Sequence, residues 1–283
     1  MRIGFMTEYS EERVKFARKA GFECVEIVVA PGSALDIRKT AKTEIEKIKD
    51  ILTKNRVKVS SLTCSLNHLD PDEDRRKKNN RYFINVLKIA KEFGANIVTT
   101  NVWGDRTKLP KENLPLYKEV FSEYAKIAEE SKVKIAIENC PLTSSYPFFI
   151  GNIGYSPAMW ELLFETVPSS TIGLQYDPSH LIWLGIDYLR ALYDFKERIY
   201  SVHAKDTEII KDNLYKEGIL STNWWRYRLP GLGQINWQKF IVALYDIGYK
   251  GDIIIEQKDP VFCKDRTDEG LKLALKYLKL FVL

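Results

Sequence analysis

The chain has 283 residues, 45% hydrophobic and 29% charged, enough for a sizeable buried core and too apolar to be mainly disordered. No apolar run reaches the roughly 18–20 residues that span a bilayer, and Glu8, Glu11 and Glu12 stand where a signal peptide would be apolar, so a cytoplasmic protein with no membrane partner is expected. The net charge of +5 is spread along the chain, which gives no support to nucleic acid as a partner.

Runs rich in Val and Ile alternate with segments of helical period along the whole sequence. In chain order the predicted strand and helix pairs are Arg2–Met6 with Glu11–Ala20, Cys24–Val29 with Lys42–Asn55, Val57–Cys64 with Asp74–Phe93, and Asn96–Val102 with Lys111–Ser131. They continue as Lys134–Asn139 with Pro157–Val167, Ile172–Asp177 with Asp187–Phe195, Ile199–Lys205 with Trp237–Ile247, and Gly251–Gln257 with Asp268–Phe281. Gly21, Gly94 and Gly248 stand just past three of the helices, where a left-handed residue ends a helix, and Asn236 suits the N-cap of the seventh. Eight even strand-helix pairs predict an α/β fold, a single (β/α)8 TIM barrel over residues 1–283, rather than a doubly wound sheet.

Arg75-Arg76-Lys77-Lys78 follows Asp70, Asp72, Glu73 and Asp74, the charge order of a solvated helix start. Cys24, Cys64, Cys140 and Cys263 lie far apart without a CxxC pair, three of them in apolar runs, and are read as reduced core thiols. Two connections, residues 140–156 and 206–236, are longer than a barrel needs. Both follow strands, and so lie on the C-terminal face that carries barrel chemistry.

Four successive strands end in a residue type that binds metal: Glu138, Asp177, His203 and Glu256. A lone acid at a strand end is ordinarily a helix cap or a surface ion pair. Four in a row, carried by apolar triplets toward one barrel axis, are cheapest to satisfy by one divalent ion. Three carboxylates and an imidazole suit Mn²⁺ best, with Mg²⁺, Co²⁺ or Zn²⁺ as alternatives. The chain's three histidines all fall at or just past strand ends. His203 is assigned to the metal, while His180 and His68 are open to substrate binding, support of the ligands or a second metal. His68 in Leu66-Asn67-His68-Leu69-Asp70 is equally well read as a turn residue. Trp103, Trp224 and Trp225 suit either stacking on a sugar ring or packing between helix and sheet.

The runs Ile137-Glu138-Asn139-Cys140-Pro141, Gln175-Tyr176-Asp177-Pro178-Ser179-His180, Val202-His203-Ala204-Lys205-Asp206, Pro230-Gly231-Leu232-Gly233 and Ile255-Glu256 resemble the xylose-isomerase-like barrel superfamily. Within it they are most similar to the sugar phosphate isomerase/epimerase branch, also described as AP endonuclease family 2. The resemblance implies a metal held by Glu138, Asp177, His203 and Glu256, with His180 beside it on a small-molecule sugar. It implies that Glu138 and Glu256 act as an acid–base pair on opposite faces of a keto sugar. It also implies sugar contact by an arginine before the Pro-Gly turn, where Arg226 and Arg228 both stand. Dimers or tetramers are common in such proteins, and the apolar end Leu278 to Leu283 suits either an interface or barrel closure.

Two other outcomes start from the same proton removal, dehydration of a keto-inositol and elimination from a 3-keto-glycoside, and residues alone do not separate them from isomerisation or epimerisation. No glycine-rich phosphate cradle is present beyond Pro230–Gly233. An apurinic endonuclease of the same superfamily would need more histidines for three zincs and a basic track for DNA. A non-catalytic barrel would be expected to lack one of the four ligands.

Overall fold

Parallel strands with both faces covered read as near-continuous apolar runs, and Ile135, Ala136 and Ile137 or Ile253, Ile254 and Ile255 are of that kind, all buried. In the computed structural model, which describes residues 1–141, 150–221 and 223–282, such strands close into an eight-stranded parallel barrel. The element order begins β1 (Ile3–Thr7), α1 (Glu11–Ala20), β2 (Cys24–Val28), α2 (Lys42–Asn55), β3 (Lys58–Thr63), α3 (Glu73–Ile89), β4 (Ile97–Thr100) and α4 (Leu114–Glu130). It continues with β5 (Lys134–Glu138), α5 (Pro157–Thr166), β6 (Ile172–Tyr176), α6 (Pro178–Trp183), α7 (Tyr188–Asp194), β7 (Ile199–Ala204), β8 (Asp206–Ile209), α8 (Lys211–Glu217), β9 (Trp225–Arg228), α9 (Trp237–Asp246), β10 (Ile253–Ile255) and α10 (Thr267–Leu278). The barrel runs from β1 through β7 to β10, and Ile3 opposite Ile253 closes it. The expected TIM barrel is therefore the observed one.

Local signals account for most boundaries. Ser10 caps α1 by accepting from Arg13 N, Asp72 caps α3 by accepting from Arg75 N, and Asn236 caps α9 by accepting from Lys239 N. Gly21, Gly94 and Gly248 take positive φ where they end helices. The last turn expected of α3 is instead a 3-10 turn, Ala90–Phe93. Cys24 and Cys64 are buried as expected, but Cys263 is exposed and Cys140 is only partly buried, at the C-terminal mouth; all four are free. At the chain end Leu278 is buried against the core and Leu280 is exposed, while Leu283 lies outside the described residues.

Two features of the C-terminal face were not foreseen. The single-turn-and-a-half α6 begins immediately after Asp177. The connection 206–236 is an antiparallel arm, β8 paired with β9 from Asp206 opposite Arg228 to Ile209 opposite Trp225, with α8 between them. Asp206 anchors its return by accepting from Thr207 N, Gly231 N, Ile235 N and Trp237 Nε1. Gly231 has φ +89 and Gly233 lies so close that an added Cβ would sit 2.2 Å from Asp206 Oδ1, so the glycine-rich turn serves this anchor. Of the connection 140–156, residues 142–149 lie outside the described residues. The described part is tied down by Asn152, which donates to Glu138 O and Cys140 O and accepts from Val102 N and Gly154 N.

Candidate metal centre at the C-terminal mouth

Each of the four predicted ligands is placed by its strand. Glu138 ends β5, opposite Gln175 of β6. Asp177 follows β6 and caps α6, its Oδ1 accepting from Ser179 N at 2.9 Å. Asn139 fixes the Asp177 backbone, donating to its carbonyl and accepting from its N–H. His203 lies in β7 opposite Ile254, and Glu256 directly follows β10. One ligand atom from each of the four lies within 4.8 Å of the others.

The free atoms of this group suit a metal. Glu138 Oε1 and His203 Nδ1 are buried with no hydrogen-bond partner among the described residues, 3.4 Å from each other. Asp177 Oδ2 also lacks a hydrogen bond among the described residues and lies 2.9 Å from the Lys205 ammonium, 3.4 Å from His180 Nε2 and 3.9 Å from His203 Nδ1. Glu256 Oε2 lies 3.5 Å from His203 Nδ1 and accepts from Lys205. Unpaired buried polar atoms are costly, and three of them facing one point fit a divalent cation with three oxygen ligands and one nitrogen.

Charge holds the acids ionised. Burial alone would raise Glu138, but His180 and His203 bring it well below the usual carboxylate range. Burial likewise works against the charged form of Glu256, and Lys205 and His203 prevail and lower it. Burial disfavours the Lys205 ammonium, yet Asp177 and Glu256 raise it well above an ordinary lysine.

His180 is brought to the centre as predicted. It is fully buried, with Nε2 3.2 Å from Lys205 Nζ and Nδ1 2.9 Å from Tyr227 Oη. Tyr227 is carried there by β9, where Trp225 stacks on Trp183 at 4.5 Å and meets Tyr227 edge-on. Trp103 reaches the cluster indirectly: its Nε1 donates to Ser65 Oγ, Ser65 to Asn101 Oδ1, and Asn101 Nδ2 to Glu138 Oε2. Trp224 is buried in the connection, donating to Ile219 O.

Of the expected substrate contacts, His68 is corrected and the two arginines are found in ion pairs. His68 is fully buried, hydrogen-bonded through Nδ1 to Tyr124 Oη and through Nε2 to Thr100 Oγ1, and packed on Phe83, Phe121 and Tyr124. It is a core histidine with no ring nitrogen left for a ligand. Arg228 is held by Asp259 at 2.8 Å and Glu208 at 2.5 Å, and Arg226 by Glu208 at 2.8 Å, so both guanidinium groups brace the arm.

Three site residues escaped the sequence reading: Lys205, Tyr227 and Glu26. Glu26 of β2 sits inside the barrel, where its carboxylate accepts from Ser61 Oγ, Thr63 Oγ1, Gln175 Nε2 and His203 Nε2. An acid at the centre of Cys24-Val25-Glu26-Ile27-Val28 was the available signal, since a buried charge needs partners.

The family described as xylose isomerase-like TIM barrel matches residues 14–280. The chain is 26% identical over 324 residues to the uncharacterized protein YfiH of Bacillus subtilis (strain 168), with 99% of this chain and 98% of that protein covered. It is 21% identical over 275 residues to inosose dehydratase of Clostridium perfringens (strain 13 / Type A), covering 91% and 88% of the two. Among solved structures, that of the IOLI protein with a bound zinc atom superposes with a TM-score of 0.77 at 18% identity, over 100% of this chain and 99% of that one. The chain belongs to the xylose isomerase-like TIM barrel family.

Proposed function

We propose that this member of the xylose isomerase-like TIM barrel family is a divalent-metal-dependent isomerase or epimerase of a keto sugar or related polyol, acting by proton removal next to a carbonyl. The observation that carries the reading is the convergence of Glu138, Asp177, His203 and Glu256 with buried, unpaired atoms facing one another. These four residues would hold the ion, Mn²⁺ in the first instance, which when bound supplies electrophilic polarisation of a carbonyl oxygen.

The chain's own groups supply the rest. Glu138 and Glu256 stand on strands separated by β6 and β7, so they address a bound substrate from two sides. Both are kept ionised, the state a base requires: one takes the proton from the carbon next to the carbonyl, and the other, after picking up a proton from solvent, returns it to that carbon, the first then losing its proton to solvent. Asn101 fixes the second oxygen of Glu138, and Lys205 fixes Glu256. His180 is held between Lys205 and Tyr227 through both ring nitrogens, so it would reach a substrate hydroxyl by exchanging its Lys205 contact at 3.2 Å for that hydroxyl.

A second reading, loss of water from a keto-inositol, is favoured by one arrangement. The Lys205 ammonium beside Glu256 would protonate a departing hydroxide, and the similarity to inosose dehydratase points the same way.

The test is solvent deuterium incorporation into a panel of keto sugars and inososes, with metal content measured by elemental mass spectrometry. Incorporation at the carbon next to the carbonyl is expected, with a loss on the order of 10²-fold or more in Glu138→Gln and Glu256→Gln. Near-normal exchange in either variant would refute the two-base mechanism. Release of water with exchange would select the second reading.

A further inference from the structure

The interior of the barrel below the metal centre is polar. Gln175 of β6 donates across it to Glu26 of β2 at 2.7 Å, Thr63 and Thr99 share a hydrogen bond, and the Glu26 carboxylate is fully buried with four donors on it. A neutral glutamine would fill much the same volume and pair with hydroxyls and amides at a lower desolvation cost. A carboxylate therefore needs a further reason, and the one imidazole among its donors is His203, whose Nε2 lies at 3.1 Å.

A carboxylate can only accept, so Nε2 carries the hydrogen in this bond. The other ring nitrogen, Nδ1, is then the one presented to Glu138, Asp177 and Glu256, at 3.4, 3.9 and 3.5 Å. We infer that Glu26 is a positioning residue for the metal centre: by taking the Nε2 hydrogen of His203 it fixes the ring so that Nδ1 is the metal ligand, and its negative charge strengthens that ligand. Ser61, Thr63 and Gln175 in turn hold the carboxylate, so the ring orientation is set by strands β2, β3 and β6 rather than by the mouth of the barrel. Partners of this kind behind a ligating histidine typically change metal affinity by roughly 10–100-fold.

This inference rests on the metal-site reading above, and the experiment separates the two. Zn²⁺ affinity is measured by competition with a fluorescent chelator for the wild type and for Glu26→Gln. In parallel, imidazole ¹⁵N NMR of the Zn²⁺-loaded wild type identifies the bound nitrogen, a tractable spectrum because the chain has three histidines. The expected result is Nδ1 bound to zinc with a protected Nε2 hydrogen, and about 10–100-fold weaker zinc binding in Glu26→Gln. Zinc on Nε2, or an affinity changed less than twofold in a folded Glu26→Gln, would overturn the role of Glu26 while leaving the metal site standing. A wild type that binds no Zn²⁺ would overturn both. If Glu26→Gln does not fold, the nitrogen bound in the wild type decides alone.

Discussion

Lys205→Met is the most informative single change, because it removes a charge from the cluster while keeping the stem of the side chain. The ammonium lies 2.9 Å from Asp177 Oδ2, bonds Glu256, and sits 4.6 Å from the ring centre of Tyr227, with its side chain almost completely buried. Breaking a buried pair by deleting one partner costs about 3–5 kcal/mol, because the other charge is left uncompensated. At about 2–4 °C per kcal/mol for chains of 150–250 residues, and somewhat less for a longer one, the metal-free variant should melt roughly 6–15 °C below the metal-free wild type. A divalent ion restores positive charge at the same carboxylates, so the gap should narrow on adding Mn²⁺. Because the ion no longer meets the ammonium, metal should bind the variant about tenfold more tightly, which is about 1.4 kcal/mol. Differential scanning calorimetry with and without Mn²⁺, paired with a chelator competition, reads both quantities. A metal-free variant within about 2 °C of wild type, a gap of about 0.5–1 kcal/mol, together with unchanged metal affinity, would refute the coupling of Lys205 to the ligand set.

Two further outcomes follow from groups outside the ligand set. His68 is buried neutral with its pKa pushed down to about 3 by burial from an ordinary value of 6.5, so the unfolded chain binds a proton between these values and the folded one does not. Its contribution is whole above pH 6.5 and is lost as pH falls toward 3, by up to about 1.4 kcal/mol per pH unit; urea titrations at pH 7 and pH 5 should show this slope in the wild type and a flatter one in His68→Gln, and equal slopes would contradict it. Gly233→Ala places a methyl group where only 2.2 Å separates it from Asp206 Oδ1, so the arm's anchor must shift, at about 1–3 kcal/mol by urea denaturation. Leu232→Ala at the exposed neighbouring position should be close to neutral, and equal costs for the two would refute the anchor.

The barrel was legible because its strands are apolar on both faces and its helices carry their own stops, features written within ten or fifteen residues of each other. The four residues that converge at the mouth were legible for the same reason, each being a polar residue closing an apolar strand run. What failed was the assumption that a residue past a strand end faces the substrate. His68 turns back into Phe83, Phe121 and Tyr124, and Arg228 meets Asp259, thirty-one positions away. Such partners are chosen by how loops fold over the mouth, which local pattern does not encode. Tyr227 was missed because the arm carrying it read as a loop, although the alternation in Trp225-Arg226-Tyr227-Arg228 is that of a strand.

The charge balance of the mouth narrows what the centre holds. Glu26, Glu138, Asp177 and Glu256 place four acids within one connected set of contacts, and among the described residues Lys205 is the one buried lysine in direct contact with the oxygens of the converging acids; Lys258 lies 3.8 Å from Glu256 but is half exposed. With His203 neutral, as a metal ligand must be, and His180 neutral because its Nε2 faces the Lys205 ammonium at 3.2 Å and accepts from it, three negative charges remain uncompensated. A monovalent ion would leave two of them buried, whereas a divalent ion leaves one, which hydrogen bonds from Ser61, Thr63 and Gln175 to Glu26 can carry away from the ligands. The same arithmetic explains why Glu26 stands behind the histidine and not among the ligands. Placed at the mouth it would compete for the ion, while below His203 its charge reaches the metal only through the ring and leaves the carbonyl side of the centre to the substrate.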